Sequence, residues 1–138
     1  DPDTYPTTKH HPGVDYRTHG ATDIPLYFCA DGEVIESGFL EKSLGNYFCF
    51  YVPEVDHTFI YCHLRDISPS KGKYAVNTPA GIAGNTGKSF GVHLHLECLK
   101  GKRTFAGRMQ IYTSEANLLQ AAKDGIIKNA DSFIKSNL

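Results

Sequence analysis

The chain contains no tryptophan, one methionine and no long apolar segment. No hydrophobic run approaches the roughly 18 residues of a membrane-spanning helix, so we expect no membrane span. Fourteen basic residues nearly balance fifteen acidic ones, and like charges form no long run. This pattern lacks the electrostatic signature of nucleic-acid or anionic-membrane binding. The sequence therefore predicts neither of these partners.

The four cysteines form no Cys-x-x-Cys pair, which argues against a structural zinc knuckle. Each has apolar or aromatic neighbours, and we expect buried free thiols that pack as small hydrophobic side chains. Disulfides are the alternative.

A chain of 138 residues that is 41% hydrophobic can bury one core, so we expect one domain. Residues 24–38 predict a hairpin around an Asp-Gly turn, and 46–52 with 58–64 predict a second hairpin. A further strand is predicted within 105–112. Apolar spacing predicts helix across 114–138.

Within the helical region, Gly125 is expected to divide two helices and Asp131 to cap the second. The apolar stripe of this region indicates packing against the domain or against a neighbouring module.

The segment 84–97 is a glycine-rich turn followed by an alternating strand. Because strand side chains repeat every second residue, His93 and His95 share one face while Leu94 and Leu96 share the other. Neutral imidazole is the commonest protein metal ligand. This pattern indicates two candidate ligands of a metal site, which needs further ligands from elsewhere in the chain.

Further donors occur at His11 and Asp15, and Gly13 allows the bend that would bring them to one ion. Together with one imidazole of the later pair they would give three protein ligands. This is typical of a catalytic zinc site with an open fourth position. His63, by contrast, lies on an aromatic strand face, where a core imidazole bonded to a backbone carbonyl is the simplest interpretation.

Four motifs occur in order: His11-x-x-x-Asp15, Tyr61-Cys62-His63-Leu64, Gly84-Asn85-Thr86-Gly87 and His93-x-His95-x-Glu97. With them, residues 10 to 98 resemble the lysostaphin/LytM-type zinc metallopeptidases that cut peptidoglycan peptides. The resemblance implies a mostly β fold, an antiparallel sheet or sandwich with a C-terminal helical tail. We expect a LytM-like domain at 1–112 and a helical extension at 113–138.

The resemblance also implies that His11, Asp15 and His95 bind one zinc ion. It implies that His63 and His93 form an unliganded catalytic pair, and we favour His93 as the general base. Glu97 is expected to orient an imidazole rather than to act as a base.

The remaining histidines have weaker cases for a role in the site. His10 lacks the four-residue spacing to the carboxylate, and His19 and His57 are expected to be solvated surface residues. Aromatic side chains are expected to line an open substrate groove: Tyr16, Tyr61 and Phe90.

The predicted function is a zinc-dependent endopeptidase that hydrolyses amide bonds in peptidoglycan stem or cross-bridge peptides. We expect it to be secreted, in the cell envelope or associated with a phage virion. The alternative is a non-catalytic, metal-containing wall-binding or scaffolding module of the same fold. An iron oxygenase with two histidines and one carboxylate fits the donor types but not their spacing.

Overall fold

The computed structural model describes residues 13–138, so the predicted ligand His11 lies outside the described residues. Three helices and nine strands occur in these residues, in the following chain order: β1 Val14–Arg17, β2 Pro25–Tyr27, β3 Gly32–Leu40, β4 Gly45–Val52, β5 His57–Leu64, β6 Gly72–Tyr74, β7 Pro79–Ile82, β8 His93–Lys100, α1 Phe105–Ile111, α2 Glu115–Lys123, β9 Ile127–Lys128 and α3 Ala130–Asn137.

Seven strands form one sheet in the order β1-β8-β5-β4-β3-β6, with β9 paired to β8. Strands β2 and β7 form a separate two-stranded sheet. Every pairing is antiparallel. The mostly antiparallel β fold with a C-terminal helical tail, as predicted from the sequence, is confirmed.

The large sheet is buried on both faces. Phe48 and Phe59 point into a core shared with β2, β7 and α3, whereas Cys49 and Ile60 point into a second core that includes α2. Alternation along the strands produces this division, because successive side chains leave opposite faces. Leu94 belongs to the first core, so the predicted outward face of β8 lies on the side of the second core.

The C-terminal segment packs against the end of β8. Strand β9 pairs Ile127 with Leu99, and Phe133 of α3 lies in the first core. Gly125 follows α2 with a φ of 71°, which favours glycine, and separates the two predicted helices. The helix cap is Asn129, whose side chain accepts from the backbone of the first turn, so the prediction of Asp131 as the cap was wrong.

Two further local predictions were wrong. Strand β2 pairs with β7 instead of turning back on β3, so residues 24–38 do not form a hairpin. Residues 105–111 form helix α1 instead of a strand, because Thr104 caps its first turn by accepting a hydrogen bond from the Gly107 amide.

None of the helices among residues 13–138 has the length and apolar composition needed to cross a membrane. The four cysteines are free thiols, three of them buried, which confirms the expectation from their apolar surroundings. The division of the chain at residue 112 stays a prediction.

Candidate metal centre and groove

The pairing of β1 with β8 brings together two predicted ligands that are 80 positions apart in the chain. Asp15 and His95 are direct cross-strand partners, and Asp15 Oδ1 lies 2.9 Å from His95 Nδ1. Nε2 of His93 lies 3.7 Å from the same carboxylate oxygen. Two donors on a tetrahedral zinc lie about 3.3 Å apart, so the Asp15–His95 geometry fits a shared ion.

The other nitrogen of His95 is held by Glu97. His95 Nε2 lies 2.9 Å from Glu97 Oε2, which is the kind of contact predicted for this carboxylate. A histidine that donates one N–H to a carboxylate presents the lone pair of its other nitrogen to a metal. The contact therefore leaves His95 Nδ1, which faces Asp15, as the nitrogen available to a metal ion.

Glu97 is itself fully buried and carries four hydrogen bonds. Arg108 donates from Nε to Oε1 at 2.6 Å and from Nη2 to Oε2 at 2.8 Å. Tyr112 donates its hydroxyl to Oε1 at 3.2 Å. With His95 as the fourth donor, both carboxylate oxygens are satisfied within the protein interior.

These contacts determine the charge states of the buried groups in the metal-free protein. Burial alone would raise the pKa of Glu97, but Arg108 and His95 outweigh it and lower this pKa to about 2. Burial would likewise lower the pKa of His95, but hydrogen bonds to Asp15 and Glu97 raise it to about 9. A metal ion bound at Nδ1 would therefore have to displace a proton from this nitrogen.

His63 reaches this site because its strand is irregular. In the β4–β5 register, Cys62 and His63 together oppose the single residue Tyr47. His63 has a φ of 65°, a conformation uncommon for a residue with a side chain. Such a bulge redirects side chains, and here it turns His63 to the face of His95.

The prediction that His63 shares the aromatic face of Tyr61 was therefore wrong, whereas the predicted burial and bond to a backbone carbonyl are present. Its ring centroid lies 5.9 Å from that of His95. Nδ1 of His63 lies 2.7 Å from the Thr86 carbonyl oxygen, which can only accept, so this nitrogen donates its proton. Nε2 is left with a lone pair, and burial lowers the pKa of the ring.

His93 has the same tautomer. Its Nδ1 donates to the Gly91 carbonyl oxygen at 2.7 Å, with Ser89 Oγ also 3.2 Å away. Its ring centroid lies 5.0 Å from that of His63. In the neutral form of each ring the lone pair is therefore on Nε2, and both rings lie beside the Asp15–His95 pair.

Two glycine contacts explain the local motifs. Gly13 packs directly on the His95 ring, where an added Cβ would lie 2.6 Å from Cε1. Gly87 has a φ of 73° and lies so close to Gly45 that any Cβ would overlap the Gly45 backbone. The Gly-Asn-Thr-Gly turn thus lies tightly against β4 and presents the Thr86 carbonyl to His63.

The site opens into a groove of about 1050 Å³. The residues that line it include Arg17, Lys42 and Lys88, and Phe90, which also lines it, is 98% exposed. Asp15 is the only carboxylate on this lining within residues 13–138. The groove is therefore cationic, although the whole chain has a formal charge of −1.

Phe90 lines the groove, but the other two predicted aromatic side chains do not. Tyr61 is 2% exposed, and the hydroxyl of Tyr16 donates to Asp131 on α3. His19 is exposed as predicted, whereas His57 is buried against Phe133, so its assignment to the surface was wrong.

A second set of donor atoms lies behind the groove. Cys62, His95 and Glu97 have potential ligand atoms within 4.8 Å of one another. Arg108 already binds both oxygens of Glu97, and burial raises the pKa of the Cys62 thiol. We interpret Glu97 as hydrogen-bonded support for His95 rather than as a ligand of a separate metal site, and the Cys62 thiol donates to the Ile60 carbonyl instead.

Sequence reasoning missed Arg108, Tyr112 and the Thr86 carbonyl. Arg108 lies in a segment predicted to be a strand, and no spacing connects it to Glu97. The backbone carbonyl has no signal in the sequence beyond the turn that carries it.

Comparison with known proteins relates this geometry to a family. The model of peptidase family M23 matches residues 9–107. The search of curated proteins gave no match. Among solved structures, a catalytic-domain mutant of EnpA, a prophage-encoded M23 protein from Enterococcus faecalis, is 26% identical with a TM-score of 0.59. That match covers 66% of this chain and 68% of EnpA's.

Two further structures are similar. The catalytic domain of the antimicrobial peptidase lysostaphin from Staphylococcus simulans is 22% identical, with a TM-score of 0.60, over 75% of this chain and 80% of its own. A zinc-containing peptidase from Vibrio cholerae is 31% identical with a TM-score of 0.60. This match covers 75% of this chain but only 32% of the Vibrio cholerae protein. The resemblance noted from the motifs is thus confirmed, and the chain belongs to peptidase family M23.

Proposed function

We propose that this chain is a zinc-dependent endopeptidase that hydrolyses amide bonds in peptidoglycan stem or cross-bridge peptides. The observation that carries the proposal is the convergence of Asp15 and His95 beside His63 and His93, whose Nδ1 atoms both contact backbone carbonyls, in an open groove. Membership of family M23 supports peptidase chemistry. The prophage-encoded EnpA and the zinc-containing peptidase among the similar structures support the wall-directed setting and the metal.

We assign one zinc ion to His11, Asp15 and His95. Asp15 Oδ1 and His95 Nδ1 supply two donors at a suitable separation, and the spacing of His11 from Asp15 motivates the third. A bound zinc ion supplies Lewis acidity, which makes an amide carbonyl more electrophilic and lowers the pKa of water.

The two other histidines are assigned to proton transfer and charge stabilisation. Gly91 fixes the Nδ1–H tautomer of His93, so its Nε2 can accept a proton from the attacking water. Thr86 fixes the same tautomer in His63, and His63 in its protonated form can stabilise the developing oxyanion or donate to the leaving amine. His93 lies next to Asp15 and is our choice for the base.

The proposed setting follows from the substrate. A wall hydrolase acts outside the cytoplasm, as a secreted, cell-envelope or virion-associated protein. The groove is open to solvent along the metal site, which suits an extended peptide held within a large polymer.

The test is release of new amino groups from peptidoglycans with different cross-bridges, with and without a chelator. Wild type is compared with His95→Ala and His93→Ala, and zinc content is measured in each. We expect both variants to lose activity, while only His95→Ala also loses zinc. Zinc-loaded wild type that leaves every wall intact would contradict the proposal and favour a wall-binding module.

A further inference from the structure

The metal site receives a buried contact from Arg108 of helix α1, a residue just beyond the matched family region. Glu97 holds His95, and Arg108 of α1 holds Glu97 through two hydrogen bonds. The match to family M23 ends at residue 107, one position before this arginine. A continuous chain of hydrogen bonds therefore connects α1 to Nδ1 of the proposed ligand.

The geometry of Arg108 favours orientation of the carboxylate. A guanidinium that donates two parallel hydrogen bonds fixes the plane of a carboxylate, which a single-point donor cannot do. Arg108 is itself fixed, because its guanidinium lies 4.4 Å from the ring centroid of Tyr112 and 5.7 Å from that of Phe105. Tyr112 also donates to Glu97 and limits its rotation further.

A contribution to folding stability does not by itself explain the buried ion pair between Arg108 and Glu97. Well-packed apolar side chains at such positions are often as stabilising as a buried ion pair, because both charges lose their hydration. Glu97 is fully buried and Arg108 is 9% exposed. Oε2 of Glu97 also contacts His95. The ion pair can therefore orient the imidazole, which apolar side chains at these positions could not do.

We infer that Arg108 is a positioning residue that sets the orientation of the proposed zinc ligand His95 through Glu97. This inference rests on the proposed assignment of zinc to His95. Helix α1 is then part of the metal centre. Without its contact to Glu97, the residues of the sheet would bind the ion more weakly.

The test measures zinc affinity of the full chain by competition with a chromogenic chelator. Arg108→Met keeps an unbranched side chain between the two aromatic rings but removes the paired hydrogen bonds. Charge alone predicts tighter zinc binding, since a nearby positive charge has been removed. Positioning predicts the opposite, a loss of about 10- to 100-fold.

Three more variants test whether Arg108 acts on His95 through Glu97. Glu97→Met should weaken zinc binding, and adding Arg108→Met to it should cause little further loss, because the intermediate carboxylate is gone. Arg108→Lys keeps the positive charge but cannot donate the paired hydrogen bonds. Its zinc affinity should lie between those of wild type and Arg108→Met. Arg103→Met is the control, because Arg103 donates to the Lys100 carbonyl and has no contact with Glu97.

Each outcome bears on the inference. Unchanged or tighter zinc binding in Arg108→Met would overturn it, as would an equal loss with and without Glu97. If Arg108→Met fails to fold, Arg108→Lys decides, and wild-type affinity there would overturn the role. Wild type that binds zinc but cuts no peptide would refute the proposed hydrolase while leaving the positioning role intact.

Discussion

Asp15 and His95 oppose each other across the β1–β8 pairing, with Asp15 Oδ1 2.9 Å from His95 Nδ1. Cross-strand neighbours are held by the backbone ladder, so their separation depends little on flexible loops. The two donors are therefore arranged by the sheet itself, and a small displacement of either residue should change the geometry of the proposed metal site.

A substitution at Gly13 would cause such a displacement. A Cβ at this position would lie 2.6 Å from His95 Cε1 and 2.9 Å from the Leu96 carbonyl, so Gly13→Ala must move the imidazole or the strand. We expect zinc affinity to fall at least about tenfold, in line with the effect of disturbing a ligand's supporting contacts. Chelator competition measures this directly.

The matched control is Gly107→Ala in α1. Its added Cβ would meet nothing closer than 3.7 Å, so zinc affinity should stay at the wild-type value. Stability should be unchanged or higher by up to about 1 kcal/mol, since alanine favours helix. Full zinc affinity in Gly13→Ala would argue against His95 as a ligand.

The sequence predicted part of this site because part of it follows from simple periodicity. Alternation along β8 placed His93, His95 and Glu97 on one face, as the structure has them. The same alternation predicted the wrong face for His63, because the strand has a bulge there. A bulge with a φ of 65° at a residue other than glycine has no clear signal in one sequence. The role of Arg108 also could not be seen, because it depends on α1 folding back onto β8.

The strained backbone of His63 gives a second prediction. For residues with a Cβ, this left-handed conformation is disfavoured by about 1–2 kcal/mol, whereas glycine adopts it freely. His63→Gly should therefore be more stable than His63→Ala by about 1 kcal/mol, while both lose hydrolysis. Chemical denaturation and the amino-group assay measure the two properties separately.

Asp56 provides the comparison, with a φ of 51° in the turn between β4 and β5. Asp56→Gly should likewise be more stable than Asp56→Ala, and both should keep wild-type hydrolysis. Equal stability of the two His63 variants would contradict the strain argument.

His57 gives a prediction for pH. Its Nδ1 lies 2.6 Å from the Val55 carbonyl, and its Nε2 is buried without a hydrogen-bond partner among residues 13–138. Burial lowers the pKa of His57, and Lys128 and Lys100 act in the same direction. Asp56 and the Val55 carbonyl oppose the shift without reversing it.

Because the pKa of His57 is lower in the folded chain, the unfolded chain binds more protons near pH 6. The stability that His57 contributes is therefore present above about pH 6.5 and is lost as the pH falls below it. In metal-free protein, the free energy of unfolding should fall less on acidification in His57→Gln than in wild type. Parallel pH profiles would contradict the assignment.

The cationic groove predicts a preference among peptide substrates. Arg17, Lys42 and Lys88 line it, and none forms an ion pair with another residue in the described part of the chain. A peptide with a free carboxylate near the cut bond should have a lower KM than the same peptide with a carboxamide. Each exposed charge contact contributes up to about 1 kcal/mol, or about fivefold.

The measurement compares kcat and KM for the two peptides at low and high salt. The preference should shrink as salt rises, because exposed charges are screened. Lys42→Gln with Lys88→Gln should remove most of it, whereas Lys73→Gln with Lys123→Gln, which lie outside the groove, should not. If both peptides are cut equally well by wild type at low salt, the groove's charge does not select the substrate.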